Sequence, residues 1–376
     1  MKFRRFGKTG LRLPVFTFGA MRIPGVPEEQ AVATVRRAVA LGINHLETAR
    51  GYGTSEVLIG KALAGLDRDD LIITTKIPPQ ESASEMRRCI EESLSRMGIR
   101  RIDNLDVHGI NNPDLLGLAL KPGGSLAAIR RARDEGLVGH VGFSTHGPLE
   151  LILETMRTGE FESVNLHYFY FNQRNAPVIR LAEEMDMGVL IISPTDKGGQ
   201  LFNPPPLLAE LTAPYTPIAI AHRFLLADPA ITTLTIGAAH PDHFDAHLAV
   251  ADQDGPLTDA EQAVFARLEA RLAALGGTRC TLCHECLPCP EQINIPEVLR
   301  LRNLGRAFEM EDFGRYRYNM IGNGSHWLWG QQGDHCTDCG ECLPRCPEGL
   351  KIPELLRDAH ALFSGEKGKR LWSHTD

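Results

Sequence analysis

No stretch of this 376-residue chain approaches the ~18 consecutive apolar residues of a membrane span, so none is expected. Residues 1–10 are basic but lack an apolar signal core, which points away from secretion. An excess of positive charge is also missing. The formal net charge is −7, and nucleic-acid binding, which calls for a basic patch or a high pI, is not expected. Cysteine is scarce outside two short segments: of nine, only Cys89 stands apart. That excludes a distributed disulfide framework and suits a reducing cytoplasm. Hydrophobic content of 43% and charged content of 23% are those of an ordinary globular chain. The length suffices for two domains, or for one large barrel with an appendage.

The other eight cysteines fall near the C-terminus. Cys280, Cys283, Cys286 and Cys289 precede Pro290; Cys336, Cys339, Cys342 and Cys346 precede Pro347. A C-x2-C-x2-C run closing on Cys-Pro is the ligand spacing of a cubane iron–sulfur cluster, because short loops let three soft thiolates converge on one cube. Structural zinc is the alternative for paired CxxC, and two such four-cysteine runs argue against it. Two 4Fe-4S clusters are therefore expected, and with them one-electron transfer. Where two clusters share a ferredoxin, the fourth cysteine crosses over. Cys280, Cys283 and Cys286 are expected to bind one cluster with Cys346, and Cys336, Cys339 and Cys342 the other with Cys289. The runs head an internal repeat: Cys289-Pro-Glu-Gln-Ile-Asn-Ile-Pro-Glu-Val-Leu-Arg matches Cys346-Pro-Glu-Gly-Leu-Lys-Ile-Pro-Glu-Leu-Leu-Arg. Pro296 and Pro353 sit where a helix would begin. The 46 residues between Cys289 and Cys336 are too many for a compact ferredoxin, so a small, mostly helical two-cluster domain is expected.

Upstream, eight short β-rich runs alternate with amphipathic stretches. The strands are expected at Val15–Gly19, Ile43–Thr48, Leu71–Lys76, Leu105–His108, Val138–Phe143, Ser163–His167, Gly188–Ser193 and Thr232–Gly237. Helices are expected at Glu28–Leu41, Ser55–Leu63, Ser84–Met97, Ser125–Glu135 and Pro177–Met185. Near-continuous apolar runs belong to a buried parallel sheet. Eight such units fit a (β/α)8 TIM barrel, with an open doubly wound sheet as the alternative. Lys2–Phe6 and Leu11–Leu13 flank a turn-rich spacer and read as an N-terminal hairpin. Thr258 followed by Glu261 reads as a capping box opening one more helix. The expected division is 1–256 barrel, 257–277 connecting helix and 278–376 iron–sulfur domain.

Barrel active sites lie at the C-terminal ends of the strands. Those ends carry Glu47, Tyr52, Lys76 and His108. Each alone has an ordinary structural reading; together, at three successive strands, they fit carbonyl reduction. Tyr52 donates a proton to the developing alkoxide, the Lys76 ammonium lowers the tyrosine's pKa, Glu47 holds Lys76, and His108 orients the carbonyl oxygen.

The segment from Lys2 to about Val250 resembles an aldo-keto reductase. The matching pieces are Phe6-Gly-Lys-Thr-Gly-Leu, Glu47-Thr-Ala-Arg-Gly-Tyr-Gly-Thr-Ser-Glu, Thr75-Lys76, Leu105-Asp-Val-His108, Gly142-Phe-Ser144 and Ser193-Pro194. With its tail, the chain resembles the branch of that family carrying a C-terminal 4Fe-4S domain. The resemblance implies a (β/α)8 barrel that uses NADPH or NADH, with the family's Asp–Tyr–Lys–His tetrad falling on Glu47, Tyr52, Lys76 and His108. Glutamate replaces the tetrad aspartate. Ser144 matches the serine at the cofactor carboxamide, with Thr145 replacing the usual asparagine after it. Asn165 stands where glutamine is usual, and Ile192 where an aromatic commonly stacks on nicotinamide. Ser193 and Gly237 are further candidate cofactor contacts, and Gly198-Gly199 could approach a pyrophosphate through backbone N–H groups. From Gly237 to His247 no Lys or Arg offers a charge to the 2′-phosphate; His240 and His243 are the substitutes at hand. The expected substrate is a small carbonyl or alcohol, with Phe169, Tyr170, Phe171 and the Pro204–Pro206 loop as candidate walls. A ferredoxin or flavoprotein is the expected one-electron partner. The competing reading is an electron-transfer iron–sulfur protein on a barrel scaffold with no nicotinamide chemistry.

Overall fold

The computed structural model describes residues 1–195, 197–323 and 328–368. A hairpin of β1 (Phe3–Arg5) and β2 (Arg12–Pro14) comes first. Eight parallel strands follow: β3 (Phe16–Gly19), β4 (His45–Glu47), β5 (Ile72–Ile77), β6 (Ile102–Val107), β7 (Val138–Ser144), β8 (Ser163–Leu166), β9 (Gly188–Ile191) and β10 (Thr233–Ile236). They close in sequence order, β10 pairing with β3 through Leu234↔Phe16. The barrel and its hairpin are as expected from the pattern. Helices α1 (Glu28–Ala40), α2 (Ser55–Leu63), α3 (Ala83–Met97), α4 (Pro113–Leu120), α5 (Ser125–Asp134), α6 (Leu149–Arg157) and α7 (Ala176–Glu184) connect the strands. Then come α8 (Pro206–Thr212), α9 (Pro217–Leu226), α10 (Asp245–Leu248), α11 (Asp259–Ala273), α12 (Ile295–Phe308), α13 (Glu311–Tyr318) and α14 (Ile352–Phe363). No helix among the described residues is long and apolar enough to cross a membrane.

Two compact units emerge: residues 1–194 with 221–256, and residues 195–220 with 257–376. The segment 195–220, expected with the barrel, groups with the C-terminal region. Within that second unit the Arg267 guanidinium donates to the carbonyl of Leu211, at the end of α8, at 3.0 Å, and so ties α11 to it.

In the first unit the core is the strand interior plus the inward faces of the helices, where Phe16, Phe18, Ile73, Leu105, Phe143 and Val189 are fully buried. Strand β6 begins at Ile102, three residues before the expected start, because Asp103 and Asn104 interrupt its apolar pattern. Helices α4 and α6 also lie outside the expected set. Helix α4 starts on Asn112, whose side chain accepts from Leu115 N–H at 2.9 Å, with Pro113 in the first turn.

In the second unit, the Thr258 side chain and Glu261 form the expected capping box of α11. Pro296 and Pro353 occupy the first turns of α12 and α14, as the repeat implies. Asp358 on α14 pairs with Arg302 of α12 at 2.7 Å and also with Arg306. The Phe363 ring lies against Gly305 and Gly314, where a methyl group would collide with it.

Candidate active site and cluster sites

Strand alternation sets the site. On β4, residues 45 and 47 face the barrel interior; on β5, 74 and 76; on β6, 104, 106 and then 108. Glu47 and Lys76 are almost wholly buried and form an ion pair. The Lys76 Nζ also donates to the Thr48 carbonyl at 3.1 Å and to the Tyr52 hydroxyl at 3.2 Å. It stands 4.8 Å from the centre of the Tyr52 ring. His108 meets Tyr52 edge-on, with ring centres 5.8 Å apart. The four residues expected from the sequence therefore converge at one end of the barrel.

One electrostatic expectation is outweighed. Lys76 was expected to lower the tyrosine's pKa; instead burial, aided by the negative charge of Asp106, pushes the Tyr52 hydroxyl well above its ordinary value. That direction favours the protonated hydroxyl. Burial also pulls Lys76 below its usual value, against the attraction of Asp106. Asp106 was not foreseen. Its carboxylate lies inside the barrel, where burial raises its pKa and Lys76 lowers it. An aspartate inside a strand pattern carries no signal of depth.

Ser144 accepts from the Gly109 N–H at 3.0 Å. Asn165 is buried with its amide against the Asp106 carboxylate, and its amide oxygen has no hydrogen-bond donor. A buried amide oxygen without a donor is costly, and the N–H of a primary carboxamide would supply one. The residues present thus fit a nicotinamide. Thr145 turns away and donates to the Ile110 carbonyl at 2.6 Å. Ser193 holds a left-handed backbone, φ 50°, directly before Pro194. Strain of this kind costs about 1–3 kcal/mol and concentrates at binding sites. Tyr170, a candidate wall, packs edge-on against Phe224 at 5.5 Å.

Gly237 follows β10, and the Arg22 side chain reaches it from the turn after β3; the Nε lies 3.5 Å from where a Cβ of Gly237 would be. Burial and the charge of Arg22 depress His243. A cation thus does lie beside this stretch, on a residue 215 positions earlier in the chain brought close by the pairing of β3 and β10. Sequence spacing gave no sign of it. Gly198 and Gly199 belong to the second unit, where a methyl on Gly199 would collide with Met310.

In the second unit Cys289, Cys336, Cys339 and Cys342 line one cavity together with Ile293, Ile295 and Leu356. Burial first, then Cys336, Cys339 and Cys289, raise the Cys342 thiol. Cys280 is pushed up to about 11, mainly by burial and then by Cys283 and Cys346 among its neighbours. The first grouping sets Cys289 among three cysteines of the other run, and the second sets Cys346 beside Cys280 and Cys283. The two loops also repeat in conformation. Leu282 and His284 in the first, and Asp338 and Gly340 in the second, all have positive φ, curling each loop about a centre. Among the described residues no three His, Cys, Asp or Glu side chains converge closely enough for a single metal ion. The all-sulfur donor set, wrapped around an apolar-walled cavity, fits a 4Fe-4S cluster.

Comparison with known proteins agrees with this geometry. Residues 16–202 match the aldo/keto reductase family, and residues 279–350 match a 4Fe-4S dicluster domain. The chain is 30% identical over 217 residues to L-galactose dehydrogenase of Arabidopsis thaliana, covering 53% of this chain and 66% of that protein. It is 22% identical over 289 residues to the uncharacterized oxidoreductase YqkF of Bacillus subtilis, covering 67% of this chain and 92% of the relative. In fold it is similar to the holo form of aldo-keto reductase AKR11C1 from Bacillus halodurans, with a TM-score of 0.63 and 24% identity over 71% of this chain and 96% of that one. The chain is thus an oxidoreductase with an aldo/keto reductase family domain followed by a C-terminal 4Fe-4S dicluster domain.

Proposed function

We propose that the protein interconverts a small carbonyl compound and its alcohol, with Tyr52 as the proton donor. The observation that carries this reading is the contact of the buried Lys76 ammonium with the Tyr52 hydroxyl at 3.2 Å, with Glu47 behind it. A bound NADPH or NADH supplies or accepts the hydride. Asn165 and Ser144 would hold its carboxamide, Ser193 would lie among its contacts, and Arg22 with His243 and Gly237 would receive a phosphate group. Tyr52 gives its proton to the oxygen that becomes an alkoxide, while Lys76 stabilises the phenolate left behind. His108 orients the carbonyl by a hydrogen bond. In the reverse direction Tyr52 takes the proton back.

The eight cysteines hold two 4Fe-4S clusters in the crossed arrangement, Cys280, Cys283 and Cys286 with Cys346, and Cys336, Cys339 and Cys342 with Cys289. Such clusters carry one electron at a time, and a ferredoxin or flavoprotein is the partner that chemistry suits. Eight thiolates committed to iron belong in a reducing cytoplasm.

The test is anaerobic. Protein purified without oxygen is mixed with NADPH and, separately, NADH, while nucleotide fluorescence and cluster absorbance are followed. Binding of either nucleotide supports the reading, and bleaching in the presence of substrate would join the two chemistries. If neither nucleotide binds, the nicotinamide reading fails and the electron-transfer reading replaces it.

A further inference from the structure

Asp106 has no role in the chemistry above, yet it occupies the interior of the barrel at the level of the ion pair. Its strand partner across β5 is Lys76 itself. The Asn104 amide donates to its Oδ1 at 2.8 Å. On the other side β7 presents Gly142, where any methyl group would collide with the Asp106 carboxylate and with the Ser163 hydroxyl. The fold therefore keeps room for a carboxylate at this point and supplies a donor to it. A charge in such a place is expensive unless another charge or a hydrogen bond compensates it.

The surrounding groups limit what that charge can do. From β4 come Glu47, which is paired with Lys76, and His45. His45 has both ring nitrogens on threonine hydroxyls, Thr17 at 2.7 Å and Thr74 at 2.8 Å, and burial with Lys76 nearby depresses it to about 3, so it is neutral. From β6 come Asn104 and His108, and from the loop after β4 comes Tyr52. The β8 residues Ser163 and Asn165 are uncharged. Among these described groups Lys76 is the cation, paired with Glu47 and opposite Asp106 in the strand register.

We propose that Asp106 is a positioning residue that acts through Lys76: it keeps the buried ammonium protonated, so that the Tyr52 hydroxyl retains a cationic neighbour as pH rises. This rests on the reading of Tyr52 as proton donor. The sign follows from burial. Desolvation drives Lys76 towards its neutral form, and Asp106 opposes that. Removing the carboxylate should let Lys76 lose its proton at lower pH, and the alkaline limb of kcat/KM for carbonyl reduction should move to lower pH with it.

The experiment compares pH profiles of wild type, Asp106→Asn and the charge-retaining Asp106→Glu. The expected result is an alkaline limb displaced by about one pH unit or more to lower pH in Asp106→Asn, and a wild-type limb in Asp106→Glu. A limb that coincides with wild type in Asp106→Asn, or a rate lowered equally at every pH, overturns the proposal and leaves Asp106 a packing residue. Asp106→Ser replaces the asparagine variant if that variant does not fold. A second readout needs no turnover: the side-chain nitrogen resonance of Lys76 in 15N-lysine-labelled protein, assigned with Lys76→Met, should titrate at lower pH in Asp106→Asn. If wild type shows no Tyr52-dependent reduction, the proton-donor reading fails, and the resonance still decides whether Asp106 governs Lys76.

Discussion

Lys76 answers three demands at once. It neutralises Glu47, donates to the Thr48 carbonyl and reaches the Tyr52 hydroxyl. Glutamate, one methylene longer than the aspartate usual at this place, still makes the pair. A buried ion pair is weak evidence for stability, but breaking it from one side leaves a charge without compensation. Glu47→Gln should therefore destabilise the barrel by about 3 kcal/mol, read as a lower denaturation midpoint, and should lower turnover as well. A midpoint unchanged by the substitution would mean that the pair contributes nothing to the fold. Glu47, Tyr52, Lys76 and His108 were legible in the sequence because each lies at or just beyond the end of an apolar run, where a barrel displays its chemistry. Asp106 and Arg22 were not. One is hidden inside a strand, and the other lies beside a glycine 215 residues away.

Among the elements, the cysteine loops were the most legible, because their ligands are local in sequence. The loop–helix repeat carries through to corresponding left-handed residues in both loops. The start of β6 was missed because Asp103 and Asn104 are polar and break the apolar pattern, although Asn104 is buried. Between α12 and α14, Asp358 holds Arg302 and Arg306. Burial raises its pKa, but the two guanidinium groups outweigh this and hold it below the ordinary carboxylate value. A carboxylate depressed in the folded state contributes stability that is fully present above its unfolded pKa, ~4, and is lost as pH falls through the folded value. Asp358→Asn should lower the stability of the second unit by about 1–2 kcal/mol at neutral pH and flatten its loss in acid. Thermal unfolding followed by cluster absorbance between pH 7 and pH 3 checks both. Parallel curves for the variant and wild type would remove Asp358 from the acid response.

For the whole molecule, the barrel and the iron–sulfur domain were both legible, since each rests on a repeating pattern. The assignment of residues 195–220 was not. This segment leaves the barrel after β9, and α8 within it is secured by Arg267 of α11, a contact between residues 56 positions apart. In the function proposed above, the chemistry turns on one hydroxyl, that of Tyr52. Anaerobic NADPH- and NADH-dependent reduction of a panel of small carbonyl compounds, by wild type and by Tyr52→Phe, measures its part most directly. The predicted result is wild-type turnover that falls ~100-fold or more in the variant while nucleotide affinity is retained. Turnover that survives the substitution intact would contradict Tyr52 as the proton donor.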